Sequence, residues 1–353
     1  EKLKWETTAQ YNVGLDMGLL NDRISLVVDA YHKKTTDLLL NVDLPTTTGY
    51  TRALQNIGSI QNKGLEFTLN TVNTTGPLKW TSNFNISFNR SKVLDLGENT
   101  RQLYSYAVSQ NVNNNILVQT GHPIGVYFGY IGDGVYNTLA EVEHSPENKV
   151  IPKTGRDLLG EMKFVDVNAD GVIDDSDRVP LAYTEPNYIG GFVNNLAYKG
   201  FDMSIVMRWS YGNDIVNGNI GELNNLSPYT NNLVSNYENM WLPWRAESNY
   251  TGFNRNGRGG FMHSEYIEDG SFLRVDRIAL GYTFPQAITR LMKVNTMRVY
   301  VNVRNVLLLT RYSWYDPEVS TGSSTSVAKL GPGADLGAYP RTRQFQFGLN
   351  ISL

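Results

Sequence analysis

Apolar and polar residues alternate one for one over several stretches of this chain. At the end, Phe345, Phe347, Leu349, Ile351 and Leu353 fall on one side, and Gln344, Gln346, Gly348, Asn350 and Ser352 on the other. Side chains in a strand point alternately to opposite faces, so this stretch predicts a strand with one apolar face and one polar face. Phe201, Met203, Ile205, Met207, Trp209 and Tyr211 repeat the pattern against Asp202, Ser204, Arg208 and Ser210, with Val206 the one exception. So do Leu78 to Phe88, Met297 to Val303 and Tyr11 to Leu19. Weaker alternation over 24–32, 65–71 and 188–198, and over 272–284 with a phase slip between Val275 and Ile278, brings the predicted strands to nine. The slip predicts a β-bulge.

The connections are lopsided. Leu20-Asn21-Asp22, Asn73 to Pro77, Lys199-Gly200 and the stretch from Pro285 to Asn295 are short. The alternate connections run to about 30, 95, 60 and 35 residues. Tight turns at one end and long loops at the other are the pattern of outer-membrane barrels, with short periplasmic turns and long extracellular loops. A soluble β-sandwich also alternates, but it uses short connections at both ends and rarely presents unbroken rows of Phe, Met and Trp. The predicted fold class is therefore all-β, an antiparallel transmembrane β-barrel. Bacterial single-chain barrels have an even strand number, so nine strands predict the C-terminal part of a larger barrel. Glu1 in place of an initiating Met agrees with that expectation.

Composition changes this picture little but narrows the chemistry. The 353 residues include no Cys and carry a formal net charge of -3. Disulfide frameworks, thiolate metal sites and a cysteine nucleophile are excluded, and no basic excess exists to displace counterions from nucleic acid. No apolar run approaches the length of a membrane-spanning helix. A barrel needs none, because its lipid face is hidden in the alternation.

One loop has a spacing with chemical meaning. Asp166-Val167-Asn168-Ala169-Asp170-Gly171-Val172-Ile173-Asp174-Asp175-Ser176-Asp177 fits a twelve-residue calcium loop. Asp166, Asn168 and Asp170 stand at positions 1, 3 and 5, Gly171 at the sharp turn, Val172 where a carbonyl ligates, and Asp174 at position 9. Asp177 replaces the usual bidentate Glu at position 12, and no amphipathic helix pair flanks the loop. A structural calcium ion is expected, since several carboxylates this close repel one another without a cation. The competing expectation is an Asx-rich turn in which these side chains cap backbone amides.

Nearly the whole chain resembles the C-terminal half of the SusC-like TonB-dependent outer-membrane transporters typical of Bacteroidetes. The resemblance runs through Lys4-Trp5-Glu6-Thr7-Thr8, Tyr11 to Asp16, Asp29 to Leu39, Asn56-Ile57-Gly58 and Asn62-Lys63-Gly64-Leu65-Glu66. It continues through Gly132-Asp133-Gly134-Val135-Tyr136, Asp269 to Arg274, Leu280 to Thr283, Tyr315-Asp316-Pro317-Glu318 and Tyr339-Pro340. Barrels of this kind commonly end on an aromatic residue, whereas this chain ends on Leu353. The resemblance implies a 22-stranded plugged barrel. Residues 1–353 would then be the C-terminal part of the barrel, with plug and upstream strands absent and 90–187 one long extracellular loop. It also implies uptake of oligosaccharides, or in some members peptides. The expected partners are a SusD-like surface lipoprotein acting as a lid, TonB acting through the plug region, and outer-membrane lipid.

Catalysis finds no footing. His32, His122, His144 and His263 form no metal-binding pair, and there is neither a nucleophile elbow nor a phosphate loop. The long connections do carry Tyr104, Tyr106, Tyr127, Phe128, Tyr130, Trp241, Trp244, Tyr312, Trp314 and Tyr315. Of these, Tyr104, Tyr106, Tyr127, Tyr130, Trp241 and Trp244 are the candidate substrate contacts, because aromatic faces stack on sugar rings. Packing between loops, or a membrane-interface belt at Tyr312 and Trp314, is the plainer expectation. Two function classes stay open: active import through a plugged barrel, or passive surface binding and adhesion with nothing crossing.

Overall fold

The computed structural model describes residues 3–43, 52–97, 101–104, 115–151, 153–223, 234–245, 247–252, 261–319 and 330–353. Nine strands form one antiparallel sheet: β1 (Thr7–Leu19), β2 (Ile24–Thr36), β3 (Ser59–Thr75), β4 (Leu78–Asp95), β5 (Tyr188–Tyr198), β6 (Phe201–Tyr211), β7 (Phe272–Thr283), β8 (Thr296–Thr310) and β9 (Gln344–Ser352). Their spatial order is their chain order, and among the described residues β1 and β9 each pair on one side only. All nine predicted strands are present. Several run further than the alternation suggested, notably β3, which starts at Ser59, and β8, which reaches Thr310. In β3 and β4 the reason is length, since the apolar pattern is imposed only over the roughly 25 Å of hydrocarbon while the 18-residue β4 extends about 60 Å. In β8 the alternation is interrupted at Asn305, at φ 51°, and resumes with Leu307 and Leu309. Strand β4 also runs to Asp95, so the long connection begins at 96, not at 90.

Register carries each face across the sheet. Met17, Leu26, Leu69, Phe84, Phe192, Met207, Val275 and Leu307 are successive cross-strand partners and form one apolar row. Leu280, Val301 and Phe347 form another. Phe345 and Phe347 are 64% and 78% exposed, which is the opposite of a buried sandwich core. On the other face Asn70, Asn83, Val193, Val206, Arg277, Arg304 and Gln344 pair in sequence. Val206, the exception in the pattern, faces Val193 across that polar side. The bulge lies where the phase slips: the register shifts between Val275 and Arg277.

Local chemistry explains the tight end. Lys199 and Gly200 both take positive φ, at 46° and 88°, and close a two-residue hairpin whose twist matches its strands. On the polar face the ring of Tyr31 lies over Gly64, its cross-strand partner, where a Cβ would come within 2.5 Å of the ring and hydroxyl atoms. This places the Tyr31 hydroxyl 2.8 Å from Asn89 Oδ1, to which it donates.

At the other end, three long connections merge. Ile116, Tyr127 and Ala182 from 96–187, Val216, Met262 and Tyr266 from 212–271, and Ala334 from 311–343 form a single buried cluster. A second cluster joins Tyr130, Tyr136, Ile151, Leu158, Met162, Phe164 and Ile173. Short strands thread through this body, including a four-stranded sheet of Arg101–Tyr104, Ile116–Gln119, Val126–Gly129 and Val179–Tyr183.

Candidate functional site

The packed body decides most of the aromatic candidates. Tyr127 is fully buried in the shared core and donates to the Gly331 carbonyl at 2.7 Å. Tyr130 is 5% exposed, packs on Phe164 and Phe261, and donates to Asp175. Burial, reinforced by the Asp175 charge, pushes its phenol far above the usual range. Trp241 is buried over Gly160, with its indole N–H on the Asn137 carbonyl. These three hold loops together and present no face to a solute, which corrects the expectation that they contact substrate. Trp244 does stand out from the surface, at 81% exposure. Tyr104 pairs through its backbone with Ile116, and Tyr106 lies outside the described residues. Tyr312 is no belt residue either: it is buried, and its hydroxyl donates to Asp335 Oδ2 at 2.6 Å. Trp314 is half-buried, and Tyr315 is exposed.

The chemistry concentrates instead on the polar face, where β6 and β7 meet the 311–343 connection. Arg274 is 1% exposed, yet charged. Its guanidinium pairs with Asp316 at 2.7 Å and Glu318 at 2.8 Å, and donates to Asn305. Arg341 closes the group from the far side, at 3.3 Å from Glu318 and 3.6 Å from Asp316. Arg208, the cross-strand partner of Arg274, pairs with Glu318 and with Asp276, the extra residue of the bulge. Three cations thus balance three carboxylates. The arrangement straps the 311–343 connection onto the inner wall. Beside it a cavity of 390 Å³ is lined on the same face by Asn85, Ser87, Ile189, Arg208, Ser210, Phe272 and Glu318. Neutral hydrogen-bonding groups, an apolar floor and a neutralised ion pair suit a polar, uncharged or zwitterionic solute. Sequence reasoning missed this site. Its partners are far apart in the chain, and Asp316 and Glu318 were legible only as a family mark.

The twelve-residue loop is a lattice of Asx turns. Asp166 Oδ2 accepts from the Gly171 amide at 2.8 Å, Asn168 Oδ1 from Asp170 and Asp170 Oδ1 from Val172, each at 2.9 Å. Asp174 accepts from the Ser176 amide, which lowers its carboxyl below the usual range. Asp177 is fully buried, and main-chain amides take up both its oxygens: Val167 and Asn168 on one, Asp174 on the other. Its observed role is a clasp that closes the loop. Among the described residues no three Asp, Glu, His or Cys side chains converge as a metal-binding set. Asp166 Oδ1, however, is buried with no hydrogen-bond partner.

The two-faced sheet and its loop body have counterparts among known proteins. Residues 1–148 match the family described as TonB dependent receptor-like, beta-barrel. TonB-dependent receptor P3 of Formosa agariphila is 32% identical over 99% of this chain. The chain belongs to the TonB-dependent receptors. TonB-dependent receptor SusC of Bacteroides thetaiotaomicron is also 32% identical over 99% of the chain. A solved structure of the RagAB peptide transporter superposes with a TM-score of 0.75 over 98% of the chain, at 20% identity. The chain spans about a third of the length of these relatives, 34% of P3 and 32% of SusC. As part of an outer-membrane TonB-dependent receptor barrel, it turns its apolar rows to lipid, its polar rows to the lumen and its long connections to the outside.

Proposed function

We propose that this chain forms lumen wall and extracellular mouth in an importer energised through TonB. The importer takes up an oligosaccharide or a peptide and works with a SusD-like surface lipoprotein. The observation that carries the reading is the ionic strap: a loop from the mouth is pinned by Arg274 and Arg208 to the inner wall, beside a polar cavity facing the lumen. A passive adhesin has no use for a solute-sized cavity on the side away from lipid. The RagAB neighbour is a peptide transporter, which keeps oligopeptides beside oligosaccharides among the solutes to be tested. The remaining strands of a 22-stranded plugged barrel belong to the same proposal.

The test is uptake by cells carrying the full-length gene, supplied with labelled oligosaccharides and oligopeptides, with and without TonB. Accumulation that vanishes without TonB, and a lipoprotein that co-purifies, support import. Surface retention indifferent to TonB identifies an adhesin.

The loop at 166–177 is proposed to take one structural calcium ion through Asp166, Asn168, Asp170, Asp174 and the Val172 carbonyl. Support comes from the oxygen-only donor set, the ligand spacing and the orphaned Asp166 oxygen. An ion there would order the loop and take no part in solute handling. Calorimetric titration of the full transporter with calcium tests it, with an affinity of about 10⁻⁴ to 10⁻³ M expected. No binding at several times that concentration leaves the Asx lattice as the whole account.

A further inference from the structure

Among the described residues, the lipid-facing surface carries a hollow. At the outer ends of β5 to β8 a groove of 520 Å³ opens, and its floor is Leu273 and Leu309, cross-strand partners that both face outward. They continue the apolar row of Val275 and Leu307 directly below. Trp209 stands beside Leu273 as one wall. Tyr188 and Tyr211, opposite each other on β5 and β6, stack at 5.1 Å with 20° between their ring planes and close the end. Immediately past β8, exposed Arg311 lines the rim without an ion-pair partner among the described residues. The carboxylate of Asp269, also at the rim, accepts from the Ser271 amide.

We propose that this groove holds an acyl chain of an outer-leaflet lipid and that Arg311 binds the phosphate of its headgroup. The occupant follows from continuity: the groove is the upper end of the surface that already faces lipid, and it sits where strand gives way to loop. A hollow walled by Leu and Trp at that level fills with hydrocarbon, whereas a protein partner would have to displace lipid first. Aromatic rings settle at this boundary, where one edge is apolar and the other wet. Just above the chain, a guanidinium presents a planar fork that matches phosphate with two parallel hydrogen bonds. The stacked tyrosines offer a flat face to a headgroup sugar.

The experiment uses the full-length transporter, purified in detergent, stripped of lipid and examined by native mass spectrometry with added lipid A or its dephosphorylated form. The wild type is expected to retain lipid A and to bind the dephosphorylated form at least tenfold more weakly. Arg311→Glu should remove that preference. Leu309→Trp, which fills the groove yet stays apolar and so assembles, should weaken both lipids. Arg290→Glu, at the short-turn end, should change neither. Heat-modifiable mobility confirms that each variant is a folded barrel. Equal binding of the two lipids by the wild type overturns the headgroup assignment. Undiminished binding by Leu309→Trp overturns the groove.

Discussion

Replacing Arg274 by Met tests whether the strap is held by charge. The side chain is 1% exposed and lies 2.7 Å from Asp316 and 2.8 Å from Glu318. At an effective dielectric near 20, each pair has a gross attraction of about 6 kcal/mol. Desolvating the three groups cancels most of it, so the pairs add little net stability compared with a well-packed apolar cluster. Truncating one partner is another matter. Without Arg274, three carboxylates face Arg208 and Arg341 alone, and Asp316, 4% exposed, loses its nearest cation. Breaking a buried network in this way costs about 3–5 kcal/mol.

That cost falls on the loop, because β6 and β7 keep their backbone ladder and their lipid-facing side chains. Hydrogen exchange on the full transporter in detergent should therefore show residues 311–319 opening more readily by roughly two to nearly four powers of ten. Strand 201–211 should stay protected. Arg274→Met combined with Asp316→Leu and Glu318→Gln removes charge from both sides and should recover most of the protection. If Arg274→Met leaves 311–319 as protected as the wild type, charge does not hold the strap. If 201–211 opens with it, the network supports the wall and not the loop.

The two faces should differ in tolerance: Val301→Arg puts a charge among lipid at a cost of about 2–4 kcal/mol and should cut heat-modifiable barrel in the outer membrane, while Asn302→Arg, facing the lumen, should assemble. Gly64→Val should displace the Tyr31 ring and break its bond to Asn89, costing about 1–3 kcal/mol of overpacking, read as a lower midpoint of thermal unfolding in detergent. In the twelve-residue loop, Asp166→Ala with Asp170→Ala should abolish calcium binding but leave the barrel folded. Asp177→Asn should loosen the loop to protease with or without calcium, because its carboxylate holds three amides. Burial raises the Asp214 carboxyl, against the pull of the Tyr183 amide. The folded loop body therefore binds that proton more tightly than the unfolded chain does: the full penalty is present above the raised value, and stability rises as pH falls through it toward the ordinary carboxyl range. The exchange protection factor at 212–217, with the intrinsic pH dependence of amide exchange divided out, should rise as pH falls through the raised value in the wild type and stay flat in Asp214→Asn.

What could be read from the sequence was what a local rule dictates. Lipid demands an apolar residue at every second position, so Phe345 to Leu353 declared their face, and even the bulge at Asp276 showed as a slipped phase. Loops obey no such period. Tyr127, Tyr130 and Trp241 looked like solute-binding aromatics because they sit in long polar connections, yet each fills a core built from segments far apart in the chain. Their burial depends on Gly331, Phe261 and Gly160, which nothing in the sequence ties to them. The strap was hidden for the same reason, since Arg274 reads as one more inward cation on a strand until Asp316 arrives from another connection.

The placement of that strap links the two ends of the problem. A loop body with its own core, shared by three connections, could sit on a barrel rim as an independent cap. Here it cannot move freely. The 311–343 connection contributes Ala334 to the shared core and also sends Asp316 and Glu318 down to the wall. Any shift of the body therefore pulls on Arg274 and Arg208, and Arg208 and Glu318 both line the lumen cavity. In the proposed importer, a change at the mouth would reach the cavity through these two ion pairs. Conversely, a solute that competes for Arg208 or Glu318 would loosen the strap. Coupling of this kind requires a charge-balanced network: an apolar clasp would hold the loop as firmly but could not be addressed by a polar solute.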